Sequence, residues 1–190
     1  MRINELITES QVLDEITRPN SIKNAEEVLK KAGYEKLGEG LYADVFAKSG
    51  ADHVLKLFDE SDNAYRMFVN MTIQNPNTHF PKFKGKMMKI TNDYYAIRME
   101  NLERLSTANY QKLELMRDYI YSYVWNKIQP LSWATSMEKL EKAQPGIKKA
   151  CDLIAHLIIN DNLRLDLHMR NAMMRGNTIV FTDPVTGTVS

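Results

Sequence analysis

Asp166, Asn171 and Asp183 stand five and then twelve positions apart, in Asp166-Leu167-His168-Met169-Arg170-Asn171 and Thr182-Asp183-Pro184. Two of them can offer oxygen ligands to a Mg²⁺ ion, and one can offer a carboxylate to accept a hydroxyl proton. Singly, each is an ordinary cap or turn residue, as Asp and Asn often are. Together, in this order around a short hairpin, they form a specific constellation. A second motif lies upstream, Gly38-Glu39-Gly40-Leu41-Tyr42-Ala43-Asp44-Val45-Phe46. Glycines between two strands let a backbone lie close over phosphates, although an ordinary tight turn has the same composition. No helix opens after them and no Gly-Lys-Ser/Thr follows, so this is neither a Rossmann site nor a Walker A loop. A third candidate is Lys56, in Val54-Leu55-Lys56-Leu57-Phe58. On a strand it shares a face with Val54 and reaches phosphates, or else it snorkels to solvent.

The elements that must position these residues can be read from periodicity and punctuation. Residues 1–33 predict two helices. The first follows the capping box Thr8-Glu9-Ser10-Gln11, with Val12, Leu13 and Ile16 on one face, and ends at Pro19-Asn20. The second runs from near Asn24 to Ala32, with Gly33 as its C-terminal cap. Strands are predicted at Glu35–Leu37, Asp44–Lys48 and His53–Phe58, then a helix from about Asp62 to Gln74, then strands at Lys82–Ile90 and Tyr94–Met99. Residues 107–128 and 136–160 read as long amphipathic helices separated by Pro130 and a loop around Trp133. A hairpin, Ala172–Met174 and Thr178–Phe181, turns at Arg175-Gly176-Asn177. A sheet-rich half followed by a helical half implies two lobes with a cleft.

Composition narrows the function classes. The 190 residues carry 25 basic and 24 acidic side chains, a balance that argues against nucleic acid as a partner. No apolar run approaches the roughly 20 residues of a membrane span, and the longest, Leu153 to Ile159, is interrupted by His156. Arg2, Glu5 and Glu9 leave no secretory apolar core in the first ten residues. One cysteine, Cys151, excludes an intrachain disulfide framework and suits a reducing cytoplasm. His53, His79, His156 and His168 lack a metal-binding spacing. Lys82, Lys84, Lys86 and Lys89 read as the solvated face of a strand, and Tyr119, Tyr121, Tyr123 and Trp125 as a helix partly buried against its neighbour.

Glycine loop, strand lysine, helix, two strands, helices, Asp-x4-Asn and a final Asp: this order resembles the protein-kinase-like fold. The resemblance covers residue 34 to the end. Within that fold the chain is similar to the serine/threonine protein kinase of short-tailed coliphages. That family shares a helix ending Ala32-Gly33-Tyr34, an Asp-x-His-x-x-Asn loop and the segment Thr182-Asp183-Pro184-Val185. It implies an α+β, minimal bilobal fold: a helical extension (1–33), an antiparallel-sheet N-lobe (34–101) and a short helical C-lobe (102–190) lacking the activation segment and later helices. By resemblance, Gly38 and Gly40 cover the phosphates of ATP and Lys56 contacts the α- and β-phosphates. Asp166 is the catalytic Asp, and Asn171 and Asp183 hold Mg²⁺. Val45, Val54 and Met173 sandwich adenine, and Met99-Glu100-Asn101-Leu102 is the hinge. His168 takes the place of the catalytic-loop lysine near the γ-phosphate. The implied partner is a protein of the bacterial host, met in the host cytoplasm, with packaging in the virion left open.

The departures matter as much. Ala43 replaces a third glycine, Arg164 and Leu165 replace the usual His and Arg, and Pro184-Val185 replaces Phe-Gly, as in the phage family. The central helix should pair a Glu with Lys56, yet no acidic residue lies between Ala64 and Gln74; only Glu60 and Asp62 stand near its start. Only seven residues follow Asp183, and a minimal kinase of this kind works if a partner supplies the substrate-binding surface. Two alternatives follow: a catalytically weak or inactive pseudokinase that binds a host factor, and, from His168, a small-molecule phosphotransferase.

Overall fold

A computed structural model describes residues 9–17, 22–40, 42–125 and 131–187. The Thr8 cap, the Pro19-Asn20 stop, Leu41 and Pro130 lie outside the described residues. The chain forms two compact units: one contains the residues up to Ser61 and Lys82–Asn101, the other Asp62–Pro81 and the residues from Leu102 onward.

The first unit is a five-stranded antiparallel sheet with two helices, α1 (Glu9–Ile16) and α2 (Ile22–Lys31). Its strands are β1 (Tyr34–Glu39), β2 (Ala43–Lys48), β3 (His53–Asp59), β4 (Phe83–Lys89) and β5 (Tyr94–Glu100), in the order β1-β2-β3-β5-β4. The predicted strands are all present, most extended by a residue or two. Gly33, at φ +83°, closes α2 in the left-handed conformation that a side chain would resist, as its place after Ala32 predicts. Alternation along β3 sorts the sheet into two faces. Phe46, Leu55, Leu57 and Ala96 form one core with Val12 and Ile16 of α1 and Ala25 and Leu29 of α2. The opposite face carries Val45, Val54, Lys56, Ile97 and Met99. The helical extension is therefore part of the sheet's hydrophobic core. The edge strand β4 is irregular between Lys84 and Met88, and it begins at Phe83, so the four lysines do not form one regular stripe. Lys82, Lys84, Lys86 and Lys89 are all exposed, which suits an edge that must resist pairing with other chains.

The second unit contains α3 (Asn63–Gln74), β6 (Glu103–Arg104), a 3-10 turn at Thr107–Asn109, α4 (Tyr110–Val124), α5 (Leu131–Ala143) and α6 (Ile147–Asp161). It ends with β7 (Arg164–Leu165), β8 (Ala172–Arg175), β9 (Thr178–Phe181) and β10 (Val185–Thr186). Strands β6, β8 and β9 form one small sheet, and β7 pairs with β10. The segment 62–81, inside the 34–101 stretch of the sequence, packs with this unit, where α3 lies against α6 and β10. The Asp62 side chain caps α3 by accepting the Tyr65 amide at 3.1 Å. Leu113, Met116 and Ile120 of α4, and Ala150, Cys151 and Ile154 of α6, are buried where the two helices pack. Along α4, Tyr119 donates to Asp152 (2.7 Å) and Tyr123 meets His156 (3.1 Å), whereas Tyr121 and Trp125 are exposed.

Two helix readings need correction. The predicted helix over 136–160 is two helices, broken at Gln144-Pro145-Gly146. Proline cannot donate within a helix, and Gly146 sits at φ +91°. Buried Met137, Leu140, Ile147, Cys151 and Ile154 continue through the break, which hides it from periodicity. Trp133 lies within α5 rather than in a loop, because a proline ahead of a helix start removes no intrahelical bond.

The break is held by polar groups. Glu141 accepts the amides of Gly146 (2.8 Å) and Lys148 (2.9 Å), which caps the first turn of α6. His79, buried, donates through Nδ1 to the Ile179 carbonyl at 2.7 Å, and its Nε2 lies 3.3 Å from the Pro145 carbonyl. Gln144 ties the same corner to the β8–β9 hairpin, donating to the Asn177 carbonyl (2.6 Å) and accepting the Ile179 amide (3.2 Å). Arg175 returns from that hairpin to the carbonyls of Thr78 and Phe80. Burial pushes the Glu141 carboxyl up, but the Lys148 and Gly146 amides and the nearby His79 outweigh it and hold it below the ordinary 4.5. A depressed carboxyl stabilises the fold above its unfolded pKa, and that gain disappears as pH falls through the folded value. Glu141→Gln is therefore expected to lower the melting temperature at neutral pH by about 2 °C, the scale of a weakened cap. The gap to wild type should close in melts carried below pH 4.5, and a gap independent of pH would contradict this assignment.

Candidate functional site

The loop between β7 and β8 has little regular structure, and Asn171 shapes it. Its Nδ2 donates to the Asp166 carbonyl at 2.7 Å and to Asp166 Oδ2 at 2.8 Å. Its backbone amide donates to the His168 carbonyl (2.9 Å), and its carbonyl accepts the amides of Thr182 (2.9 Å) and Asp183 (3.2 Å). The Asp166 amide donates to the Pro184 carbonyl at 2.8 Å, beside the Leu165–Val185 pair of β7 and β10. Residues five and twelve positions apart are thus joined at one place, because the hairpin between Asn171 and Asp183 runs out and returns.

The arrangement orients the Asp166 carboxylate. Oδ2 is committed to Asn171, while Oδ1 lies 3.6 Å from His168 Nε2, and both side chains are about half exposed, at 45% and 49%. The Arg170 amide donates to His168 Nδ1 at 3.1 Å, so in the neutral ring the proton sits on Nε2, toward Asp166. The Asn171 nitrogen is committed to Asp166, and the Asp183 amide to the Asn171 carbonyl. Asn171 Oδ1 and the Asp183 carboxylate are of the oxygen type a hard divalent cation takes, and such a cation would complete its shell with water and phosphate oxygens. Among the described residues no group of three His, Cys, Asp or Glu side chains forms a self-sufficient metal site.

The remaining sequence candidates lie mostly in the sheet unit. Lys56 is only 6% exposed, so it does not snorkel. Its direct neighbours on the face away from α1 and α2 are Val45 and Ile97. Val54 pairs with Met99 on that face, and both are buried. At the β1–β2 turn the Gly40 amide donates to the Ala43 carbonyl at 2.7 Å, and a Cβ on Gly40 would meet that carbonyl at 3.3 Å. Gly38 differs: its φ is not left-handed and a Cβ there would meet nothing within 4 Å. The fold itself therefore gives no reason for glycine at position 38. In the hinge segment the Glu100 amide donates to the Lys82 carbonyl (2.9 Å), the Glu100 carboxylate accepts the Lys82 amide (2.8 Å), and the Asn101 amide donates to the Asp52 carbonyl (3.0 Å). Leu102 and Met173 are half-buried in the second unit, where Met173 of β8 pairs with Val180 and Arg104.

Glu60, one of the two acids near the start of α3, places its carboxylate 3.3 Å from Lys89 and within 3.5 Å of the Tyr95 hydroxyl. Asp62, the other, is the α3 cap described above. Sequence reasoning missed Lys36, whose ammonium meets three carboxylates beside the glycine turn: Asp44 (3.0 Å), Glu39 (3.3 Å) and Glu26 (3.8 Å). Glu39, three residues away, was the one partner visible in the sequence.

The fold class is α+β: an antiparallel-sheet unit and a helical unit. No protein-family model and no curated protein matches the chain. Among solved structures, it is similar to Rad53 in complex with AMP-PNP, at 12% identity and a TM-score of 0.42 over 86% of this chain and 42% of that one. It is also similar to PK-1, the kinase of the Cydia pomonella granulovirus, at 15% identity and a TM-score of 0.34 over 89% and 58% of the two chains. The chain therefore spans about half the length of these structures.

If Asn171 holds the loop, Asn171→Ala should cost about 1–2 kcal/mol through two lost hydrogen bonds, one of them to a carboxylate. Its melting temperature should fall by about 3–6 °C. An unchanged melting temperature would show that the loop is held by other groups.

Proposed function

We propose that this chain is an ATP- and Mg²⁺-dependent protein kinase, a phosphotransferase acting on serine or threonine of bacterial host proteins. The observation that carries the reading is the junction at Asn171, whose side-chain amide holds Asp166 and whose backbone carbonyl accepts the Asp183 amide. In this reading Asp166 Oδ1 receives the proton of the attacking hydroxyl, and His168 Nε2–H steadies the carboxylate. Asn171 Oδ1 and the Asp183 carboxylate would hold Mg²⁺, which when bound neutralises charge on the phosphates.

Gly38 and Gly40 cover the phosphates, and the open space around Gly38 supports that role. Lys56 pairs with the α- and β-phosphates, and its place beside Val45 and Ile97 on the sheet face away from α1 and α2 supports that role. Val45 and Val54 offer adenine an apolar patch on the sheet face that carries Lys56. Met99, Glu100 and Leu102 form the hinge, whose backbone meets the adenine edge.

A second reading, a pseudokinase that captures a host factor, draws on α3. That helix presents no acidic side chain from Ala64 to Gln74, and the two acids near its start cap the helix or face Lys89. Incubation with labelled ATP, Mg²⁺ and host lysate separates the two. The kinase reading expects labelled protein with wild type and a loss of at least a hundredfold with Asp166→Asn, the scale of losing a general base. Identical blank lanes for both would remove it, and a stoichiometric host protein retained equally by both would favour capture.

A further inference from the structure

Lys36 lies where β1 bends into the glycine turn. The β1–β2 register runs from Lys36 opposite Phe46 to Gly38 opposite Val45, so Leu37 is an extra residue in β1. Its side chain is 52% exposed, and the bulge turns the strand just ahead of Gly38. Phe46, the partner of Lys36, is fully buried in the core shared with α1 and α2. Lys36 therefore stands on the helix side of the sheet.

Three carboxylates from three places converge on its ammonium. Asp44 at 3.0 Å is on β2, Glu39 at 3.3 Å lies between the two glycines, and Glu26 at 3.8 Å is on α2. Glu39 and Asp44 face each other across the neck of the turn, whose tip is closed by the Gly40–Ala43 hydrogen bond. One cation thus fastens both sides of the neck to each other and to the helical extension. Without it, three carboxylates would repel one another beside a turn that, on the reading above, must accept a triphosphate.

We infer that Lys36 is a positioning residue: through Glu26, Glu39 and Asp44 it makes α2 part of the phosphate-binding turn. The inference rests on the proposed nucleotide role of that turn. The Lys36 side chain is 30% exposed, and surface ion pairs each contribute little. The effect should therefore be moderate: Lys36→Met is expected to raise the KM for ATP about three- to fivefold, with kcat changed less than twofold. Lys36→Arg should restore affinity. Glu26→Gln, which alters only a residue of α2, should raise KM by less than Lys36→Met.

Amide hydrogen exchange on the nucleotide-free protein gives an independent readout. Lys36→Met should accelerate exchange of the Gly40 amide about threefold or more, while protection in β3 and β5 stays as in wild type. Unchanged Gly40 exchange in Lys36→Met overturns the inference whether or not nucleotide binds. Failure of wild type to bind AMP-PNP, with Gly40 exchange still accelerated in the variant, leaves the clamp standing and removes the nucleotide reading instead.

Discussion

The second unit depends on how one asparagine satisfies its hydrogen bonds. Two short strands, β7 and β10, leave a loop with few backbone bonds of its own, and buried or half-buried polar groups must find partners. Asn171 answers with both of its ends. Its side-chain amide takes the Asp166 carbonyl and carboxylate, and its backbone carbonyl takes the amides that precede and carry the Asp183 side chain. An aspartate at 171 could not donate, and a glutamine would displace its amide by a methylene. The same bonds that shape the loop leave one oxygen of Asp166 and one of Asn171 directed elsewhere, so structural economy and the proposed chemistry coincide.

The sheet unit shows a comparable division of labour along β3. Alternate residues serve opposite faces: Leu55 and Leu57 enter the core with α1 and α2, while Val54 and Lys56 face away from it. A one-residue slip would exchange the lysine with two core leucines, so hydrophobic burial of one face fixes where the ammonium stands. The helical extension matters here because it covers the apolar face and, through Glu26, reaches the neck of the glycine turn.

Much of this was legible in the sequence. Strand positions followed from short apolar runs bounded by glycine, and the order of glycine turn, Lys56, Asp166, Asn171 and Asp183 pointed to one class of chemistry before any coordinates. What was illegible depended on contacts distant in sequence. The break at Pro145-Gly146 was masked because buried residues recur across it, and Glu141, which caps the following helix, has no special sequence context. His79 showed only that it lacks a metal-binding spacing; its contacts with the Ile179 and Pro145 carbonyls lie far along the chain. The role of Lys36 required α2, β1 and β2 to be adjacent, which neither periodicity nor spacing states.

If Asn171 and Asp183 hold a divalent cation that accompanies a nucleotide, as proposed, nucleotide affinity must depend on that cation. Titration of AMP-PNP into the full chain, with and without Mg²⁺, tests it directly. Mg²⁺ is expected to tighten binding about tenfold or more in wild type, and this dependence should disappear in Asp183→Ala, where nucleotide affinity becomes the same in either buffer. Equal affinity in wild type with and without the metal, or a metal dependence that survives in Asp183→Ala, would contradict it.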